Sequence, residues 1–269
     1  VPHGFPPDEE ELHAALSTSH PQIADLRCLV AERDGIAKSF VLLGKLREHH
    51  AWLGAAAGEG VCLGPFSRND DDFAAHLLQE AHAHLRGSGS ELRWAGLPLE
   101  DPLLPFYNAG FNGMSDQMPR LLALLTRSGF RVRYRELNLE WNGIPQAAAD
   151  IPSHVIAQVE QEDAHVTRIT LASAAESLGY CRVSMVCPSR GRNPLGADVG
   201  YVCGLGVKET YRGAGWGRVL MRLGMGRLLE MGAKRIWLTT GAHNHTAQSL
   251  YYSLGFTVVD SCVTLARNI

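Results

Sequence analysis

No apolar run in this 269-residue chain approaches the ~18 residues that a membrane-crossing helix needs. Stretches such as Leu121–Leu125 and Ile236–Leu238 are far shorter. A basic-then-apolar leader is also missing: residues 1–11 hold three prolines and an acidic cluster, so neither a signal peptide nor membrane association is expected. The six cysteines, Cys28, Cys62, Cys181, Cys187, Cys203 and Cys262, form no Cys-x-x-Cys pair. That argues against a disulfide framework and a zinc site, and favours a cytoplasmic protein with reduced thiols and no metal. No low-complexity tract occurs, and a 45% hydrophobic composition leaves a globular chain long enough for two domains. Residues 1–150 carry 13 basic and 20 acidic side chains, whereas residues 151–269 carry 12 and 8. A net-positive second half in an acidic chain suits a small anionic ligand better than nucleic acid, which asks for a continuous basic face.

What is present is one alternation of strands and helices, run twice. A helical pattern covers residues 8–16, and apolar alternation predicts strands over 23–31, 38–43 and 61–66. Asp70, Asp71 and Asp72 then offer capping carboxylates to a helix over 73–85, followed by a strand over 91–94. A helix over 117–127 stops at Gly129, and Phe130–Trp141 reads as extended. Beyond a Gly-, Pro- and Ala-containing stretch around 143–152, read as a linker, the order returns. Strands are predicted over 165–172, 180–186 and 201–207, then a helix over 217–231 that buries Val219, Leu220, Leu223, Leu228 and Met231. A strand over 235–240, a helix over 244–253 stopped by Gly255, and an extended segment over 256–266 complete the pattern. Each half thus has a helix that ends in Gly-Phe before a last strand, which points to an internal duplication. The fold class expected is α/β, with a twisted mixed sheet flanked by helices in each of two domains, residues 1–150 and 151–269.

Arg212-Gly213-Ala214-Gly215-Trp216-Gly217 lies between a predicted strand and a predicted helix. Small residues there let the chain turn with its amides outward, and the helix start adds unpaired donors and a positive dipole end, which together suit a pyrophosphate. Arg212 and Arg218 are candidates for charge-assisted phosphate contacts. No Walker loop is present, and Arg218 stands where a dinucleotide fingerprint needs its third glycine. ATP and NAD are therefore disfavoured.

With Gly204-Leu205-Gly206-Val207 preceding it, Arg212-x-x-Gly215-x-Gly217 resembles the Arg/Gln-x-x-Gly-x-Gly/Ala motif of the GNAT superfamily of N-acetyltransferases. A second block agrees: Asn244-x-x-Ala247-x-x-Leu250-Tyr251-x-x-x-Gly255-Phe256 is similar to the family's Asn-x-x-Ala-x-x-Leu-Tyr-x-x-x-Gly-Phe. The resemblance covers roughly residues 165–269, and it implies an acyl-coenzyme A, most often acetyl-CoA, as donor. It places the pantetheine arm on the backbone of Leu205, Gly206 and Val207, and the pyrophosphate on Arg212, Gly213, Ala214, Gly215, Trp216 and Gly217. Asn244 and Ala247 would contact the cofactor, Val207 would supply an oxyanion donor, and Tyr251 would protonate the departing thiolate. Glu209, just past the strand, is favoured as base, with Asp198 or a water chain as alternatives.

The histidines His76, His82 and His84 complete no metal spacing and read as solvated or packed, and Cys203 reads as a small buried residue. In the first half, Ser67-Arg68-Asn69-Asp70-Asp71-Asp72 replaces the glycine loop. Three aspartates at a helix start would repel a pyrophosphate. That half is read as a degenerate unit without a coenzyme site, with Pro102–Phe111 as a candidate rim of an acceptor pocket. The expected function is acetyl transfer from acetyl-CoA to a primary amine, of a small molecule in the first instance. A non-catalytic acyl-CoA sensing module and a protein or peptide acetyltransferase are the alternatives.

Overall fold

The computed structural model describes residues 20–51, 53–67, 71–97, 113–144, 150–174, 176–186 and 196–267. The helix expected over 8–16, Asp70, the rim Pro102–Phe111 and Cys187 lie outside them. Packing divides the chain into two units: Val1–Glu136 with Asp260–Ile269, and Leu137–Val259.

Unit 1 opens with antiparallel β1 (Ile23–Arg33) and β2 (Ile36–Leu46), and β2 also pairs antiparallel with β3 (Gly60–Ser67). Helix α1 (Asp71–Gly87) turns Ala74, Leu77, Leu78, Ala81 and Leu85 inward at three- and four-residue spacing, which fixes its apolar face to the sheet. It leads to β4 (Leu92–Ala95), parallel to β3. The short β5 (Met114–Ser115) follows, then α2 (Pro119–Arg127), with proline at its start where no N–H is missed. Next comes β6 (Phe130–Trp141), of which Leu137–Trp141 belong to unit 2.

Unit 2 continues with an antiparallel run of β7 (Val155–Gln161), β8 (Val166–Ser173), β9 (Ser177–Ser184) and β10 (Val199–Val207). Helix α3 (Trp216–Glu230) crosses to β11 (Arg235–Gly241), parallel to β10, and α4 (His245–Ser253) leads to β12 (Thr257–Arg267). Helix α3 buries Leu220, Met221, Gly224, Met225 and Leu228, and it rests so closely on β9 that a Cβ on Gly224 would stand 2.6 Å from Cys181 Sγ. Met231, expected on that face, is 37% exposed, because the helix ends at Glu230 and Met231 is its cap.

Two features depart from the linear reading. The sequence pattern predicts no strand at β7, whose Ile156 and Val159 are each 60% exposed, so no inward apolar alternation marks it. The second concerns β12, whose residues from Asp260 onward belong to unit 1 and pair with β4 and β5. Unit 1 therefore has the strand order β1-β2-β3-β4-β12, and unit 2 has β7-β8-β9-β10-β11-β6. By packing the division falls at Glu136/Leu137 and returns the chain's last residues to unit 1, where the linear reading drew a single line near 150.

Candidate active site

Strands β10 and β11 pair only from Val199↔Arg235 to Tyr201↔Trp237, although both run on. Past Tyr201 the edge of β10 faces an opening. On its other side β10 stays bonded to β9, with a register shift between Val202 and Gly204 and pairing resumed through Val207↔Gly179. The amide of Lys208 donates to Leu178 O at 2.9 Å. Because successive strand amides alternate sides, the N–H groups of Val207 and Leu205 point away from β9 and into the opening. Gly206 is required by its neighbour: a Cβ there would lie 2.6 Å from the Tyr180 ring. The Arg168 guanidinium sits 4.4 Å above the same ring.

After one turn, Glu209–Tyr211, the chain reaches Arg212, whose Nε donates to Val207 O at 3.2 Å. Gly213 and Gly215 have φ of 80° and 86°, the left-handed region that favours glycine. Gly215 is also the N-cap of α3, and no side chain caps that helix. Among the described residues the amides of Gly213, Ala214 and Gly215 meet no backbone acceptor, and a Cβ on either glycine would meet nothing within 4 Å. The result is a row of unpaired donors at a helix start, open to solvent, which fits an anion such as a pyrophosphate. Trp216 is half-buried and packs on the unit's core, Gly217 lets the first turn of α3 approach Leu250 of α4, and Arg218 is exposed.

The loop is braced from a place the linear reading did not single out. Glu176, in the β8–β9 turn, accepts from Lys208 Nζ at 2.6 Å and from Tyr211 OH at 2.7 Å, holding both ends of the turn that leads into the glycines. Those bonds lower the Glu176 pKa and raise that of Tyr211. No spacing signals Glu176, because its partners are remote in sequence.

Asn244 caps α4, its Oδ1 accepting from Ala247 N at 3.3 Å, and Gln248 Nε2 pins the preceding turn through Gly241 O and Ala242 O at 3.1 and 3.0 Å. The structure thus gives Asn244 and Ala247 a defined local role at the head of α4. Tyr251 is 7% exposed and packs beside Phe256, with ring centroids 6.0 Å apart. Among the described residues its hydroxyl has no hydrogen-bond partner, yet it is not sealed from solvent. Burial, with Cys181 nearby, pushes the phenol up to about 12, so it stays a proton donor throughout the neutral range. Glu209 is exposed at the start of its turn. Asp198 is displaced from the candidate chemistry: it precedes the opposite end of β10 and pairs with Arg235 at 3.5 Å. Cys203 is half-buried within the bulge, and His82 packs against Phe130 with Arg267 3.0 Å from its ring. Among the described residues no group of three or more side chains is arranged to hold a metal, and no helix is long and apolar enough to cross a membrane.

A parting pair of parallel strands, with a glycine turn of open amides leading into a helix, forms a scaffold for an extended ligand that ends in an anionic group. Residues 134–256, a little under half of the chain, match the model of the acetyltransferase (GNAT) family. Among curated proteins it is 45% identical over 63 residues to a mycothiol acetyltransferase of Corynebacterium efficiens, and 41% identical over 63 residues to that of Corynebacterium glutamicum strain R. These matches cover 23% of this chain and 21% and 22% of those relatives, about a fifth of their length. Among solved structures it resembles a tandem GNAT protein from the clavulanic acid biosynthesis pathway, at TM-score 0.65 and 14% identity over 97% of this chain and 88% of that one. A GCN5-related N-acetyltransferase from Sphaerobacter thermophilus aligns at TM-score 0.63 and 13% identity, over 96% and 84% of the two chains. At these identities the likeness is one of fold, and it spans both units.

Proposed function

We propose that this chain transfers an acetyl group from acetyl-CoA to a primary amine of a small molecule by direct attack, and that unit 2 does the chemistry. The observation that carries this reading is the row of unpaired amides at Gly213–Gly215, continuous with the open edge of β10. Acetyl-CoA supplies the activated acyl group. The amides of Gly213, Ala214, Gly215, Trp216 and Gly217 would neutralise its pyrophosphate, with Arg212 and Arg218 adding charge. The edge of Leu205–Val207 would align the pantetheine arm by backbone pairing, and the Val207 N–H would donate to the carbonyl oxygen as negative charge develops there. Tyr251 would hold the proton that the departing sulfur takes. Glu209 is assigned as the base that accepts the amine's proton; its support is position alone, just past the strand. Local identity to mycothiol acetyltransferases supports a small-molecule acceptor. Unit 1, whose loop sequence places three aspartates where unit 2 has glycines, is assigned no coenzyme.

Titration of the purified chain with acetyl-CoA, with NAD and ATP as controls, followed by an amine screen read by thiol release, tests this. Micromolar binding of acetyl-CoA alone, with thiol release on amine addition, is the expected outcome. Binding without release from any amine would move the sensing reading ahead, and release on peptide amines alone would make this a protein acetyltransferase.

A further inference from the structure

The sheet of unit 1 repeats the opening of unit 2. Strand β3 pairs with β4 only from Gly60 to Cys62 and then runs on to Ser67 with no strand beside it on that side among the described residues. A register shift follows the parting here too, between Leu63 and Phe66 against β2, as one does between Val202 and Gly204 against β9. The gap in unit 1 leads into a cavity of about 330 Å³ whose apolar wall is Pro65 and Phe66 of β3, Ala74 of α1, and Met118, Leu121 and Leu124 at α2. That is the lower end of the ~300–1,000 Å³ range of small-molecule sites. The polar part of the wall is Ser67, Gln117 and Arg120, and Gln117 donates to the buried carboxylate of Asp260 at 3.3 Å.

The wall excludes the ligand of unit 2. Pro65 has no N–H, and the Phe66 carbonyl already accepts the Ser39 hydroxyl at 2.8 Å, so this strand end has little backbone to offer a pantetheine arm. No glycine lies between Ser67 and Asp72 to aim amides at a phosphate. Along this strand end, apolar side chains take the place of backbone donors. We propose that the unit 1 cavity binds a medium-length acyl chain bearing a phosphate-free polar head, a fatty acid or its amide. This goes beyond the function assigned to unit 2 and stands or falls without it.

The test uses the full chain with ¹³C-methyl-labelled methionine. Met118 lines the cavity, while Met221 and Met225 in the core of unit 2 serve as references. Titration with octanoate and with octanamide is expected to shift the Met118 methyl saturably, with a Kd below about 1 mM, and to leave the two references in place. A larger response to octanoate identifies a carboxylate head, and a larger response to octanamide a neutral one. Ala74→Leu, which fills the cavity from α1, should weaken that response at least about tenfold, with acetyl-CoA affinity unchanged by calorimetry. Should that variant lose the dispersed Met114 signal of a folded unit 1, Ser67→Phe replaces it. A Met118 methyl unmoved by both probes overturns the proposal. So does a response to coenzyme A in their stead, or a filled cavity that binds as before.

Discussion

Units 1 and 2 are built on one plan and differ most where the plan meets a ligand. In each, a parallel pair of strands parts after a few residues and a bulge follows the parting. Each also has a helix stopped by a glycine at φ 92°, Gly129 or Gly255, with a buried phenylalanine next. Past the parting, unit 2 presents Gly204, Gly206 and the amides of Gly213–Gly215, whereas unit 1 presents Pro65, Phe66 and a carbonyl already bonded to Ser39. Four residues before the glycine stop stands Tyr251 in unit 2, barely reached by solvent, and Leu125 in unit 1, fully buried. The scaffold sets where an opening lies, and the backbone chemistry along its edge sets what enters. One plan thus carries a polar opening in one unit and an apolar one in the other.

The largest test of this contrast is Gly215→Val. The left-handed backbone at Gly215 disfavours a branched side chain, and the branch would also crowd the open amides, so acetyl-CoA affinity should fall at least about a hundredfold by calorimetry. An unchanged affinity would erase the distinction between the two openings. Tyr251→Phe should lower kcat about a hundredfold while KM stays near its original value. Since burial holds the Tyr251 phenol at about 12, the wild-type kcat–pH profile should show no basic limb from this residue below about pH 11. A variant as fast as the parent removes the general-acid assignment.

The counterpart substitution in unit 1, Leu125→Ala, should cost about 2–5 kcal/mol of stability by denaturant titration and leave the kcat of the folded fraction alone. A specific loss of kcat would show that unit 1 takes part in the chemistry. Glu136, where the chain first leaves unit 1, is pushed up to about 7 by burial. Its folded state holds the proton more tightly than the unfolded chain, so the wild type should lose stability as pH rises from the ordinary carboxylate range through about 7. Glu136→Gln should remove that slope and raise Tm at pH 8 by about 2–4 °C, with no gain at pH 4. Smallest is Glu176→Gln: an exposed brace of the glycine loop should change coenzyme affinity by about two- to fivefold, and less in high salt.

Much of this is legible in the sequence. The strand Phe130–Trp141 and the helices ending at Gly129 and Gly255 were read within a residue or two, because apolar spacing and a glycine stop are local signals. The glycine turn was legible for the same reason, its neighbours in sequence being its neighbours in space. Features made by distant residues were not. The Glu176 brace joins a hairpin turn to a loop 32 and 35 residues away. Tyr180 demands a glycine at 206 from the adjacent strand, and the exposed apolar residues of β7 carry no inward pattern. Membership of Asp260–Arg267 in unit 1 depends on pairing with Trp94 and Ala95, which no periodicity records.

That last membership has a consequence for synthesis. Translation completes β1 to β4 before unit 2, yet the strand that covers the free side of β4 is made only after the whole of unit 2. At ~5–20 residues per second, unit 1 waits on the order of 10 s with that sheet edge bare while the whole of unit 2 is produced. A bare edge is a template for pairing with another chain. A nascent chain stalled inside unit 2, or a fragment cut at residue 150, should be the aggregation-prone species of this protein, and the closing strand the step that ends the exposure.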